Sequence, residues 1–481
     1  MTVTHRAIIF AATLLGLAAA DSTAKEKKPS AEKAGTERHR SLTLEAAVSL
    51  ALKQNPDIRK AVHEIERTRG QVIEVRAQAL PSLKAAGNYS QYAPELIGTG
   101  GTGTNSSTVT VGAQDKSWRI TLQVQQLIYS GGKVRAALKI AELTQDTSHL
   151  MLRETVSTVI ANVRTQFYTA LLNRELITVA EESIVLLTDQ LKDQQNRFDA
   201  GTVPRFNVLQ AEVELANARP DLIRAKNNFH ISRLQLAKTL GLDTDDEPDV
   251  VGQLRIAPRE ISLSRALSAA RTNRAILKAQ QNTVEGGEQQ ITVAKAGYKP
   301  SVSADVGYEF VNSRGTKDLS KITNGWYLGV NGSWAIFDGL QTKGQVEQAK
   351  ASLASAKVSL SDSVQQVELE VQKAYAQAKV AREVIASQAK VVEQADEALR
   401  LAKERLSAGA GTQLDVLNAR VALTKARTTQ KQALSDYNVA LAEYDRATGA
   451  EAFSDPTIPE LKVMIPEDIL RAPRSPLFHA E

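Results

Sequence analysis

A fifteen-residue passage occurs twice in this chain, and that duplication constrains the fold more than any other feature. Arg197-Phe-Asp-Ala-Gly-Thr-Val-Pro-Arg-Phe-Asn-Val-Leu-Gln-Ala211 returns as Arg405-Leu-Ser-Ala-Gly-Ala-Gly-Thr-Gln-Leu-Asp-Val-Leu-Asn-Ala419, 208 residues later without a gap. The same offset pairs Ile128-Tyr129-Ser130-Gly131 with Ile336-Phe337-Asp338-Gly339, Phe167 with Tyr375, Glu175 with Glu383, and Gly241 with Gly449. Residues 128–241 and 336–449 therefore read as one unit used twice. Upstream the match is looser. Asn55 pairs with Asn273, and Leu80-Pro81-Ser82 with Lys299-Pro300-Ser301, and a longer Gly/Thr/Ser-rich loop at 94–115 absorbs the changed offset. This gives repeat 1 over 41–241, a linker over 242–261 and repeat 2 over 262–449.

Each repeat carries the same order of elements. A first helix (Thr43 to Ala79; Ser264 to Ala296) is ended by Pro81 or Pro300. Two strands follow, then a very long helix. Between Gly132 and Gly201 there is neither Pro nor Gly, and at 1.5 Å per residue this segment spans roughly 100 Å. Ser130 and Asp338 are suited to cap the two long helices. Val156, Ile160, Val163, Phe167 and Leu171 form one apolar stripe along the first. A return helix runs from about Pro204 to Leu240 in repeat 1, and from Ala419 to Thr448 in repeat 2. Pro220 is expected to kink the first; Thr428 stands in its place in the second. The two short helices can stack end to end beside the long one, giving a rod with strands at one end and hairpin tips at the other.

The strands alternate with period two. Trp118, Ile120, Leu122 and Val124 alternate with Arg119, Thr121, Gln123 and Gln125. In repeat 2, Val302 to Phe310 alternates with Ser301 to Glu309, and Trp326, Leu328, Val330 and Trp334 alternate with Tyr327, Gly329, Asn331 and Ser333. A half-buried soluble hairpin has this pattern, and so does a transmembrane β-strand. All three tryptophans, Trp118, Trp326 and Trp334, lie on the apolar faces toward strand ends, where a membrane girdle would sit. Four strands cannot close a barrel alone, so the chain is expected to oligomerise; three copies give twelve strands. The fold class expected is mainly α with β: a trimeric twelve-stranded transmembrane β-barrel, four strands per chain, continued by a long α-helical barrel, with an internal twofold repeat.

Composition narrows the alternatives. The chain is 42% hydrophobic but only 5% aromatic, which suits close-packed helices rich in Ala, Val and Leu. It has no cysteine, which excludes disulfides, thiolate metal sites and a lipidated N-terminal Cys. A net charge of +5 over 481 residues, without basic runs carrying aromatics, gives no nucleic-acid footprint. The opening residues, with Arg6, an apolar Ala7 to Leu17 and Ala18-Ala19-Ala20, read as a secretory signal peptide over 1–20. Residues 21–40 read as a disordered leader, and 450–481, with five prolines, as an extended tail. No apolar run of 18 residues follows the signal, so a membrane-embedded chain would have to form a barrel.

Enzyme chemistry finds no foothold. The six histidines never fall at ligand spacing. Ser130-Gly131-Gly132-Lys133 lacks the earlier glycine of a phosphate loop, and Val134 stands where Ser or Thr would hold Mg²⁺. No cofactor, metal or catalytic residue is expected.

The duplication, the Leu42-Thr43-Leu44-Glu45-Ala46-Ala47 opening with Asn55-Pro56, Leu80-Pro81-Ser82, Ile336-Phe337-Asp338-Gly339 and the Arg405 to Asn418 passage together resemble the TolC-like outer-membrane efflux protein family over roughly 41–449. The resemblance implies a homotrimeric, non-catalytic channel in the cell outer membrane that extends into the periplasm. It implies docking onto a periplasmic adaptor and an inner-membrane pump, in efflux or type I secretion. The family's gate motif, Leu-Asp-Val-Leu-Asp, matches Asp415 and Asn418, with Asn207 and Gln210 in repeat 1. The basic and tyrosine residues that close some members fall at Gly411 and Leu406. Asp415 can equally be a helix N-terminal carboxylate. Arg197, Gly201, Arg405, Gly409, Gly411 and Thr412 are expected to form the adaptor-docking tip, the glycines supplying left-handed backbone for the reversals. The alternative is a secreted coiled-coil scaffold or adhesin stalk without a channel; it leaves the tryptophan-bearing strands unexplained.

Overall fold

The structure, a computed structural model, describes residues 41–93, 116–243, 245–256, 259–312 and 319–449. The signal peptide, leader, 94–115 loop and tail expected above lie outside the described residues. Two short helices, α1 (Leu44–Gln54) and α2 (Pro56–Ala77), lead into β2 (Ser82–Gln91) and β3 (Lys116–Tyr129). Two long segments follow, α3 (Lys133–Asp199) and α4 (Arg205–Leu240). The order then recurs as α5 (Leu263–Asn273), α6 (Ala275–Lys295), β5 (Ser301–Asn312), β6 (Ile322–Ser333), α7 (Gln341–Ser407) and α8 (Gln413–Thr448). Helices α3 and α7 have 67 residues each, α4 and α8 have 36 each. Two-residue strands β1 (Ser41–Leu42) and β4 (Asp249–Val250) pair in parallel where the linker crosses the helices. Arg174 holds that linker by donating to the Gly252 carbonyl at 2.7 Å, and Arg233 by donating to the Pro248 carbonyl at 2.9 Å.

The first helix of each half is broken, where one helix was expected. Asn55 has ψ near 127°, as the residue before a proline prefers, and its side chain accepts from the Asp57 and Ile58 amides to cap α2. The second break, at Arg274, has no proline, and its ψ is 118°. Tertiary contacts account for it. Asn55 Nδ2 donates to the Thr239 carbonyl at 2.7 Å, and Arg274 Nη1 donates to the Ala447 carbonyl at 3.3 Å. The residue that takes the place of Asn55 is therefore Arg274, not Asn273. At both breaks the glycine that ends the return helix packs against the chain: a Cβ on Gly241 would lie 2.4 Å from the Gln54 carbonyl oxygen, and one on Gly449 3.1 Å from Asn273.

Other boundaries also move. Helix α8 starts at Gln413 rather than Ala419, because Thr412 caps it. Ser130 and Asp338 lie three residues before the first residue of their helices. Gly132 and Leu340 hold the formal cap positions with positive φ, and no side chain of theirs caps. Asp338 still satisfies the helix start by accepting from the Thr342 amide at 2.8 Å, whereas Ser130 reaches the Val134 amide only at 3.5 Å. Helix α4 continues through Pro220 without interruption.

The core lies between the helices. Val156, Ile160, Val163, Phe167 and Leu171 are all buried, against Ala47, Val48, Ala51 and Leu52 of α1 and Leu236 and Leu240 of α4. A smaller cluster joins α5 to α7 and α8 through Ala266, Ala270, Val367, Val371 and Tyr444.

Candidate functional site

The four long strands form one antiparallel sheet in the order β2-β3-β5-β6. Register decides what each face carries, because directly opposed residues share a face. Tyr89 opposes Trp118, Leu83 opposes Val124, Leu122 opposes Tyr308, Val124 opposes Val306, Tyr308 opposes Trp326 and Val306 opposes Leu328. One face is thus apolar across all four strands. It is also bare: Leu83, Leu328 and Val330 are each 67–68% exposed and Trp326 is 76% exposed. The other face carries Lys84, Asn88, Thr121, Gln123, Gln125 and the Arg119–Glu309 ion pair at 3.3 Å. Asn331 donates to Asp305, and Tyr327 lies over Gly307, where a Cβ would come within 2.6 Å of its ring. The register shifts between Leu127 and Tyr129, a bulge at the sheet-to-helix end that the alternation did not reveal. Strands β2 and β6 are the sheet's open edges.

The tryptophans differ in setting. Trp118 is half-buried and its indole N–H donates to the Leu319 carbonyl at 3.1 Å. Trp334 stands one residue beyond β6, not within it, and donates to the Tyr298 carbonyl at 3.1 Å. Trp326 and Trp334 are eight residues apart, about 26 Å along an extended strand. With strands tilted by about 40°, as in an outer-membrane barrel, that run covers about 20 Å of an apolar band ~25 Å tall.

The opposite ends of α3 and α7 turn by one mechanism. Gly201 and Gly409 have φ of 75° and 73°. At the first turn the Gly201 amide donates to Phe198 and the Thr202 amide to Arg197; at the second, Gly409 donates to Leu406 and Ala410 to Arg405. This paired pattern is a Schellman turn, which needs the left-handed residue glycine supplies. Gly411 does not share that role, since its φ is not positive. It is close-packed instead, with a Cβ placed 3.1 Å from Arg405 Cβ. Arg197 pairs with Asp193 at 2.9 Å, and Arg405 Nη2 donates to the Ala410 carbonyl at 3.3 Å.

Beyond the turns the halves differ. Helix α4 starts after Pro204 with no side-chain cap; Asn207 and Gln210 are half-buried in its first turns. Helix α8 starts with a capping box. Thr412 Oγ1 accepts from the Asp415 amide at 3.2 Å, and Asp415 Oδ2 accepts from the Thr412 amide at 2.8 Å and from its hydroxyl. The Thr412 amide, then its hydroxyl, with the more distant Arg405 charge, hold the Asp415 carboxyl below the ordinary carboxylate range. Asp415 and Asn418 are both exposed. In the single chain, then, Asp415 is a capping carboxylate, and the structure brings Thr412 and Asp415 together while leaving Asn207 and Gln210 on the other hairpin.

Sequence reasoning missed a charged hub beside Arg274. Its side chain is 5% exposed; Nη2 meets Glu154 of α3 at 2.9 Å and Nη1 meets Glu370 of α7 at 3.0 Å, while Arg446 of α8 reaches Glu370 at 3.2 Å. Burial raises the Glu370 carboxyl's affinity for protons, but Arg274 and Arg446 outweigh it and the group stays below its usual range. The Asn55–Pro56 signal has no counterpart at Arg274, so only the fold reveals the hub. Among the described residues no helix is long and apolar enough to cross a membrane, and no His, Asp and Glu cluster could hold a metal ion.

Comparison with known proteins identifies the family. The family described as outer membrane efflux protein matches residues 47–242 and 266–450. The protein CyaE of Bordetella pertussis is 25% identical over 71% of this chain and 70% of its own length. The cobalt-zinc-cadmium resistance protein CzcC of Cupriavidus metallidurans is 23% identical over 85% of this chain and 90% of its own. Among solved structures, the Campylobacter jejuni CmeC outer membrane channel superposes with a TM-score of 0.74 at 19% identity, covering 87% of this chain and 88% of that one. A bare apolar face on a tryptophan-flanked sheet is what a chain of the cell outer membrane needs, and the helices continue from it toward the periplasm. The chain belongs to the outer membrane efflux protein family.

Proposed function

We propose that three copies of this chain form a passive outer-membrane conduit, with twelve strands closed into one barrel and the helices ringed into a periplasmic tunnel. It would serve as the exit channel of a tripartite efflux or type I secretion system. The observation that carries the reading is the four-stranded apolar face, exposed on every strand and bounded by two unpaired edges. Unpaired edges do not survive in lipid, so β2 of one copy must meet β6 of the next. The matching bounds of the long and return helices of the two halves, each offset by 208 residues, support an internal duplication that lets each copy supply two similar staves.

The helices carry matching unpartnered stripes. Val358, Leu369, Val380 and Val391 of α7 recur every eleven residues, about three turns, and all four are exposed. Phe206, Leu209, Val213 and Ile223 of α4 are exposed too. In a ring, the α4 stripe of one copy would cover the tip-side part of its neighbour's α7, at Val391, and the first helices would face the rest. Asp415 and Asn418, with Asn207 and Gln210, would stand around the axis at the tip. Arg197, Gly201, Arg405, Gly409, Gly411 and Thr412 would face the adaptor, which in turn joins an inner-membrane pump. The chain itself would do no chemistry. CzcC is a cobalt-zinc-cadmium resistance protein by name; cargo here is set by the pump the channel serves.

Purified protein reconstituted in a planar bilayer should conduct, and chemical cross-linking should trap trimers. A detergent-free, water-soluble monomer would end this reading.

A further inference from the structure

The four junctions between strand and helix lie at one end of the sheet. Register puts Ser82 opposite Gln125, Tyr129 opposite Val302 and Ser301 opposite Ser333, so β2 and β5 begin where β3 and β6 end. The helices leave the sheet from this end, toward the periplasm.

Positive charge gathers there. One turn of each adjoining helix and its connection to the strand (74–81, 130–136, 292–300 and 334–344) together hold six Lys or Arg against two acids. Their net +4 nearly equals the +5 of all 481 residues, so the rest of the chain is close to balance. The six are Arg76, Lys133, Arg135, Lys295, Lys299 and Lys343. All but the half-buried Arg76 are exposed, and none meets a described acid in an ion pair. One of the two acids, Asp338, is already committed to the Thr342 amide at 2.8 Å. Elsewhere the cations are matched: Arg427 meets Glu182 at 2.7 Å and Arg197 meets Asp193 at 2.9 Å.

Three of the six also sit where the helix field opposes them. Helices α3 and α7 open with Lys133, Arg135 and Lys343 and carry no acidic residue in their first turns. A helix start bears partial positive charge, so cations there raise the local energy unless anions come to them. The junctions are also close to one another. A Cβ on Gly131 would lie 2.9 Å from Lys299 Cβ, so Lys133 and Lys299 stand on adjoining turns.

An apolar collar lies at the same level. Trp334, Ile336 and Phe337 are 60%, 86% and 81% exposed. The Trp334 indole donates to the carbonyl of Tyr298, itself an exposed ring. Aromatic side chains of this kind settle at the boundary between hydrocarbon and water.

We infer that this belt binds the headgroups of anionic phospholipids in the periplasmic leaflet. The collar seats at the acyl boundary, and the unpaired Lys and Arg meet lipid phosphates just beyond it. Long aliphatic stems let those cations reach the headgroups while their chains stay against apolar surface. A free phosphate ion would use the cations alone; a phospholipid uses the cations and the collar together. The inference rests on the membrane-spanning channel reading and adds to it the lipid that holds the channel at its level.

The test is electron paramagnetic resonance of spin-labelled lipid around the full-length protein in phosphatidylcholine vesicles, with trimer content measured on the same samples. At low salt, spin-labelled phosphatidylglycerol should associate with the protein about threefold more strongly than spin-labelled phosphatidylcholine, and the preference should fall toward one in roughly 0.5 M salt. Lys133→Gln, Lys299→Gln and Lys343→Gln together should remove at least half of the low-salt preference. Lys192→Gln, Lys390→Gln and Lys403→Gln, three exposed lysines nearer the tips, should leave it unchanged. If the junction variant loses the trimer, Lys→Arg at the same three positions keeps the charge and should keep the preference, and the salt dependence of the unmodified protein then decides. An unmodified protein without the preference at low salt would overturn the inference. So would an intact junction variant with the wild-type preference, or a tip-side variant that loses as much. A protein that restricts neither lipid would instead sink the channel reading, because its strands would not be in the membrane.

Discussion

Gly201 and Gly241 share a backbone conformation but not a setting, so together they separate the two reasons a glycine can be required. Their φ values are 75° and 76°. A Cβ at Gly201 meets nothing within 4 Å, whereas one at Gly241 would lie 2.4 Å from the Gln54 carbonyl oxygen and 2.8 Å from its carbon. Gly201→Ala therefore bears only the left-handed penalty of an L-residue, about 1 kcal/mol. Gly241→Ala bears that penalty and must also push α1 away from the end of α4, an overpacking cost of roughly 1–3 kcal/mol more. The shift would also stretch the Asn55 to Thr239 hydrogen bond, now 2.7 Å. Thermal inactivation of the purified protein in detergent, followed by loss of helical signal, should show a small decrease for Gly201→Ala. It should show a decrease two to four times larger for Gly241→Ala. Equal decreases would refute the packing argument and leave backbone conformation as the whole effect.

Three further outcomes follow from the geometry. Thr412→Ala removes the α8 cap and should lower stability by about 1 kcal/mol. The Asp415 contribution should be full above the ordinary carboxylate pKa of ~3.9 and lost only as pH falls through its depressed folded value, which hydrogen exchange at the tip can follow from pH 7 to 3. Arg274→Met strands Glu154 and Glu370 in the hub and should cost about 3–5 kcal/mol in denaturant unfolding, while Arg271→Met, on an exposed pair, should cost under ~1 kcal/mol. Leu328→Arg, on the apolar sheet face, should cost about 2–4 kcal/mol in a bilayer-folding assay, and Asn331→Arg, on the polar face, should cost less.

What could be read from the residues, and what could not, follows from where each signal resides. The helix bounds came from local grammar: Gly201 and Gly409 stop helices, and unbroken Ala- and Leu-rich stretches continue them. The sheet faces came from strict alternation, which the observed register carries across all four strands. The start of α8 was also written locally, in Thr412 and Asp415 three residues on, and the 208-residue offset from Arg205 points to Gln413 as well; the expected start at Ala419 used neither signal. Asn55-Pro56 spelled a break in plain turn chemistry. Arg274 did not, because that break is enforced by Gly449 and by carboxylates from two distant helices. The burial of Arg420 of α8 against Glu214 of α4, 3.9 Å away, was illegible for the same reason: nothing in either residue's neighbours says that the two helices will meet there. The bulge before Tyr129 depends on how β3 meets β5, a relation between strands 170 or more residues apart.

The most direct test of the account is which way the β6 side chains point in a membrane. The chain has no cysteine, so single cysteines at 326 through 331 report without background. Reconstituted in vesicles, cysteines at 326, 328 and 330 should carry labels that a lipid-borne quencher reaches. Those at 327, 329 and 331 should instead react with a water-soluble maleimide. Uniform reaction of all six with the water-soluble reagent would show both faces wet, and the outer-membrane barrel would be wrong.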